Sequence, residues 1–228
     1  MFGIEVSVGV ASRHYLATQH LWTAQHAARL CGEVETALRK TQVGNVVEHR
    51  SHAVTAVLSS VAYLECLVNQ VFQDVADTEQ GQPNSRTEGI TEAAQSLMRT
   101  LWTDARLDTK LTVIDKYQLA LLCVGKPRLE TGRDPVQSAA LLVRLRNELV
   151  HFKPEWHDHA DEHRFERQLK NRFADSRLPG DPWFPNKCLG AGCASWACDT
   201  ASALAVEWWS RMGLTFDYSA DMRDWANP

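Results

Sequence analysis

Apolar residues recur along most of this chain at three- and four-residue spacings, the mark of helices that bury one side. The clearest run lies between Arg50 and Ala76, where Val54, Val57, Leu58, Val61, Leu64, Val68, Val71, Phe72 and Val75 share a stripe. An earlier run, Ser12 to about Lys40, carries Leu16, Leu30, Val34 and Leu38 among polar residues, with Gly32 weakening its middle. Helices are also predicted from Thr91 to about Trp102 and from about Cys193 to Met212. Another runs from Asp108 to about Val124, with Leu111, Ile114, Tyr117, Leu121 and Leu122 on one side, and Gly125, Lys126 and Pro127 stop it. Met1 to Val10 alternates weakly and reads as a short strand or extended arm.

Between these runs the pattern breaks. Thr41 to Glu48 reads as a turn and Asp77 to Gly89 as an exposed loop rich in Gly, Pro, Asn and Ser. HDHADEHRFERQLKNRF reads as a mixed-charge helix touching the core through Phe165, Leu169 and Phe173. The following LPGDPWFPNKCLGAG, with three prolines and three glycines, excludes regular structure, but Trp183 and Phe184 predict that it packs on the body. Phe216, Tyr218 and Trp225 predict the same of the tail. The reading is all-α, about six helices, one domain over residues 1–228.

Composition narrows the function classes. At 228 residues and 44% hydrophobic content the chain can bury a substantial core. A net charge of −4 excludes a broad polybasic surface, so nucleic-acid contact would need a local patch. No uninterrupted apolar run reaches membrane-span length and the first residues lack a signal-peptide pattern, so the expectation is a cytoplasmic protein. Six cysteines in such a chain read as reduced thiols, with Cys31, Cys66 and Cys123 acting as small core residues. Cys188, Cys193 and Cys198 are evenly spaced, unlike the close pairs of zinc sites. His159 and His163 lie one turn apart beside acidic residues; a zinc pair and a solvated charged helix are the two readings, and the second is preferred. No metal or cofactor is expected.

The candidate chemistry sits in DPVQSAALLVRLRNELVHFKP, Asp134 to Pro154. Asp134 can cap a helix, Pro135 suits its first position, and Ala139, Leu142, Val143, Leu145, Leu149 and Val150 supply the apolar residues. Pro154 ends the helix near His151. At about 100° per residue, Asn147 and His151 share a face, whereas Arg146 and His151 lie roughly 140° apart. Bringing guanidinium and imidazole together requires either unwinding of the last turn or, the preferred alternative, a two-fold dimer in which both helix ends meet. Glu65 and Asn69 lie one turn apart near the buried stripe of the long helix; the carboxylate of Glu65 calls for a cationic partner, and Arg146 is the candidate.

RNELVH, Arg146 to His151, resembles the signature of HEPN domains, the higher eukaryote and prokaryote nucleotide-binding superfamily. The resemblance covers about Val54 to His151 and includes VAYLECLVNQVF. It implies an antiparallel helical bundle over about residues 50–154, with extra C-terminal helices over about 155–228, and homodimerisation. It also implies a metal-independent endoribonuclease of the toxin or phage-defence kind, restrained by an antitoxin or other regulatory partner. Arg146, Asn147 and His151 would then be catalytic, with Glu65, Asn69 and Glu148 in support. Arg144, Lys153, Arg164 and Arg167, extended by Lys170 and Arg172, read either as a basic rim that positions an RNA backbone or as a face neutralised by its acidic neighbours. Arg13 with His20 and Arg144 with His151 also satisfy an Arg–His spacing of four to six intervening residues. Only the pair Arg146 and His151 combines a polar residue directly after the arginine with an apolar helix in front and a helix break behind. Toxin-type members often place tyrosine two residues beyond the histidine, where this chain has Lys153. The alternative is a non-catalytic nucleotide-binding or interaction module, with Arg146 paired to Glu65 or Glu148 and His151 simply ending a helix.

Overall fold

The computed structural model of the chain describes residues 13–41, 45–78, 82–104, 106–154, 156 and 163–218. Among these there are eight α-helices and no strand. In chain order they are α1 (Ala17–Thr41), α2 (Val46–Asp77), α3 (Glu92–Thr103), α4 (Leu107–Lys110), α5 (Val113–Cys123), α6 (Val136–Val150), α7 (Arg164–Leu169) and α8 (Ala191–Met212). The all-α reading therefore holds. The expected N-terminal strand, His159 and Trp225 lie outside the described residues.

The helix the other elements pack around is α2. Asn45 caps it by accepting the Val47 N–H at 2.8 Å, and its interior buries Val57, Val61, Leu64, Val68, Val71 and Phe72. Each such side chain contributes about 1.5–3 kcal/mol through removal from water. It packs along α1 and also meets α8, α3, α6 and α5. Among the described residues α2 alone is long and apolar enough to cross a membrane, which a count of uninterrupted apolar residues had missed. Half of its most apolar stretch is buried inside the fold, as befits a core helix.

Two predicted faces are corrected. On α1 the buried residues are Ala17, Thr18, Leu21, Ala24, Ala27, Cys31 and Glu35. Leu16 is instead 54% exposed, and Leu30, Val34 and Leu38 are only half-buried. The buried side of α1 is built largely of small residues, and α2 likewise buries Ala53, Ala56 and Ser60. Small side chains at a contact let helix axes come close, so α1 buries its small-residue side rather than its leucines.

The single helix expected from Asp108 is two, α4 and α5, separated at Leu111 and Thr112. Thr112 caps α5 by accepting the Asp115 N–H, which halts the preceding turn. Leu122 points outward, while Lys116 and Gln118 are buried. Gln118 accepts the N–H of Leu129 at 2.9 Å and donates to its carbonyl at 3.0 Å, fastening the connector that leads to α6. The expected mixed-charge helix is likewise shorter: among its described residues only Arg164–Leu169 are helical.

Two buried carboxylates tie the periphery down. Asp74 accepts from Tyr15 at 2.9 Å and from Arg86 at 3.0 Å, with the Arg86 guanidinium held between the rings of Tyr15 and Phe216. Glu35 of α1 receives His49 Nε2 at 2.8 Å, the Ala191 N–H at 3.0 Å and the Arg177 N–H at 3.1 Å. It thereby satisfies the start of α8 from another helix. Burial raises its pKa, but these hydrogen bonds outweigh burial and hold the carboxyl at about 2. As expected, Trp183 and Phe184 are buried, and so is Trp208.

Candidate functional site

The motif helix begins and ends nearly as its local chemistry dictates. Asp134 accepts both the N–H and the hydroxyl of Ser138, at 3.1 and 2.6 Å. Its carboxyl lies below the usual range, chiefly through the Ser138 bond, with Arg172 adding to it. Pro135 occupies the cap position, so α6 starts one residue later than expected. Leu141, Leu142 and Leu145 anchor the helix in the core. His151 is its C-terminal cap residue, with its N–H on the Asn147 carbonyl at 2.9 Å.

From this rod the candidate residues leave in two directions. Arg146 turns towards α2 and places Nη2 3.6 Å from Glu65 Oε2. The other oxygen of Glu65 lies 3.6 Å from Lys116 Nζ, and that ammonium donates to Asn69 Oδ1 at 3.0 Å. Glu65, Asn69 and Arg146 are thus brought together, joined by Lys116, which sequence reasoning did not single out. The signal was present: Lys116 falls with Val113, Ala120 and Cys123 on the apolar stripe of α5, where a cation demands a partner.

On another side of α6, Arg144, Asn147, Glu148 and His151 line an open cleft of about 360 Å³. Arg164, Phe165 and Gln168 of α7 form its other wall. That wall is set by His163, which accepts the Phe165 N–H at 3.2 Å to cap α7 and stacks on the buried ring of Phe184 at 4.7 Å. Glu148 is engaged by Arg164 across the cleft. The side chains of Arg144, Asn147 and His151 have no hydrogen-bond or ion-pair partner among the described residues, and all three are exposed.

Arg146 is not part of that lining, so within one chain the motif's arginine and histidine are not brought together. Of the expected basic rim, Arg144 and Arg164 line the cleft; Lys153 and Arg167 are exposed outside it. Lys170 pairs with Glu166, and Arg172 with Asp134 at 3.2 Å. At the helix end Val150 is exposed, and beyond it so are Phe152 and Trp156, the last completely. All six cysteines are free thiols, and no cluster of His, Cys, Asp and Glu suited to a metal ion occurs among the described residues. No protein-family model matches the chain, and no curated protein or solved structure matches it significantly.

Proposed function

We propose that the chain is an HEPN-like, metal-independent endoribonuclease working from the cleft at the end of α6. The observation that supports this reading is a histidine, an asparagine and an arginine lining one open cleft, with no hydrogen-bond or ion-pair partner among the described residues. An imidazole titrates near neutrality and can take the proton from a ribose 2′-hydroxyl. The 2′-oxygen then attacks phosphorus and the bond to the 5′-oxygen breaks. That oxygen takes up a proton, leaving a 2′,3′-cyclic phosphate and a 5′-hydroxyl. An arginine holds the non-bridging oxygens and stabilises the charge that builds on them, and Asn147 orients His151 or the phosphate. The proton that His151 takes from the 2′-hydroxyl is the one the 5′-oxygen needs, passed on directly or through solvent, so the step balances. Exposed Val150, Phe152 and Trp156 beside the cleft favour a homodimer through this end of the bundle.

A second reading, a non-catalytic nucleotide-binding or protein-interaction module, is favoured by the engagement of Arg146 with Glu65. RNA digestion in EDTA separates the two. Wild-type cleavage that disappears in His151→Ala supports the nuclease, whereas cleavage indifferent to that change overturns it. Binding without cleavage favours the module.

A further inference from the structure

We infer that Arg144, not Arg146, is the arginine that binds the RNA phosphate in the cleft of His151. This rests on the ribonuclease reading for its catalytic consequence, but its geometry is independent of it. His151 lies seven positions beyond Arg144, which is nearly two full turns, so the two project about 20° apart around α6. They are offset along the axis by about 10 Å, a gap that a phosphodiester seated between two side chains would bridge. Both line the cleft, with Asn147 between them in sequence and on the same side.

The charges of the neighbours point the same way. Arg164 is matched by Glu148, and Asn147 is neutral. Arg144 is thus the one cation lining the cleft whose charge no described carboxylate answers. Arg146, by contrast, faces Glu65, a carboxylate that also serves the buried Lys116. Withdrawing Arg146 would leave that carboxylate to one cation. Bringing Arg146 round to His151 needs either an unwound helix end or a second copy of the chain; Arg144 needs neither. In this arrangement Arg146 is a packing residue of the α2–α6 contact.

The test uses the full chain with two probes, an RNA oligonucleotide and its 2′-O-methyl counterpart, which lacks the attacking hydroxyl. Binding is read by fluorescence anisotropy with the methylated probe, over a range of salt, and cleavage is read with the RNA in EDTA. Arg144→Ala should weaken binding about tenfold, the worth of a charge-assisted hydrogen bond. It should also lower the slope of log affinity against log salt by about one phosphate contact. Arg144→Lys should recover part of the affinity, because it keeps the charge and loses the two-pronged geometry. Arg146→Ala should bind within about twofold of wild type and melt at a lower temperature. Lost binding in Arg146→Ala with unchanged binding in Arg144→Ala overturns the assignment, and wild-type cleavage alongside it leaves the nuclease reading standing. Arg144-dependent binding without cleavage does the reverse. A wild type that binds neither probe overturns both.

Discussion

Arg146 reaches across the α2–α6 contact to within 3.6 Å of Glu65, and Lys116 meets the other oxygen of the same carboxylate at an equal distance. Two cations from different helices share one anion, and Lys116 is 1% exposed. Removing one member of such a set leaves a buried charge poorly answered, which costs more than the pair itself contributes.

Glu65→Gln is therefore expected to lower stability by about 1–3 kcal/mol, read from the urea midpoint. Adding Lys116→Met should restore most of the loss, because the orphaned ammonium goes with it. Losses that simply add would show that the two groups do not interact.

Core and cleft positions on the same helix should behave differently. Leu145 is fully buried, and Leu145→Ala should cost about 2–5 kcal/mol. Arg144→Ala and His151→Ala, at exposed positions, should stay within about 0.5 kcal/mol of wild type. Thermal melts check this, and a large loss in either exposed variant would tie the cleft residues to folding.

Glu35 makes stability depend on acid. Its carboxyl is held at about 2, below the ordinary 4.5, so the folded state binds its proton less readily than the unfolded chain. The resulting stabilisation is complete above pH 4.5 and fades as pH falls towards 2. Glu35→Gln should be less stable at neutral pH and show a shallower decline through that window. Parallel curves for the two proteins in urea titrations would contradict this.

A glycine contrast probes the start of α8. A methyl group on Gly192 would lie 2.2 Å from the Ala174 carbonyl oxygen, a backbone atom, whereas one on Gly132 would meet nothing within 4 Å. Gly192→Ala should cost about 1–3 kcal/mol through overpacking. Gly132→Ala should be neutral or slightly stabilising, by up to about 1 kcal/mol. Equal melting temperatures would refute the close approach.

The six thiols are free but poorly poised to react. Burial pushes Cys31 up to about 12 and Cys198 to about 11. A thiol reagent at pH 8 should therefore label the native protein slowly, Cys66 first because it is only half-buried, and reveal six thiols on unfolding. Prompt labelling of all six without denaturant would contradict the packing.

Much of this molecule was legible along the chain because one helix repeats its angles. The stripe on α2, the start of α6 near Asp134, its end at His151 and the pairing of Glu65 with Arg146 all follow from spacing and from the demand of a charge near an apolar face. The same arithmetic places Arg144, Asn147 and His151 on one side of α6. What spacing cannot supply is which side of a helix meets its neighbour. That choice set α1 on its small residues rather than its leucines, enclosed Lys116, and turned Arg146 to α2 while leaving Arg144 to the cleft. Side-chain angles about an axis are local, whereas the sector that becomes buried depends on the shape and charge of the helices packed against it.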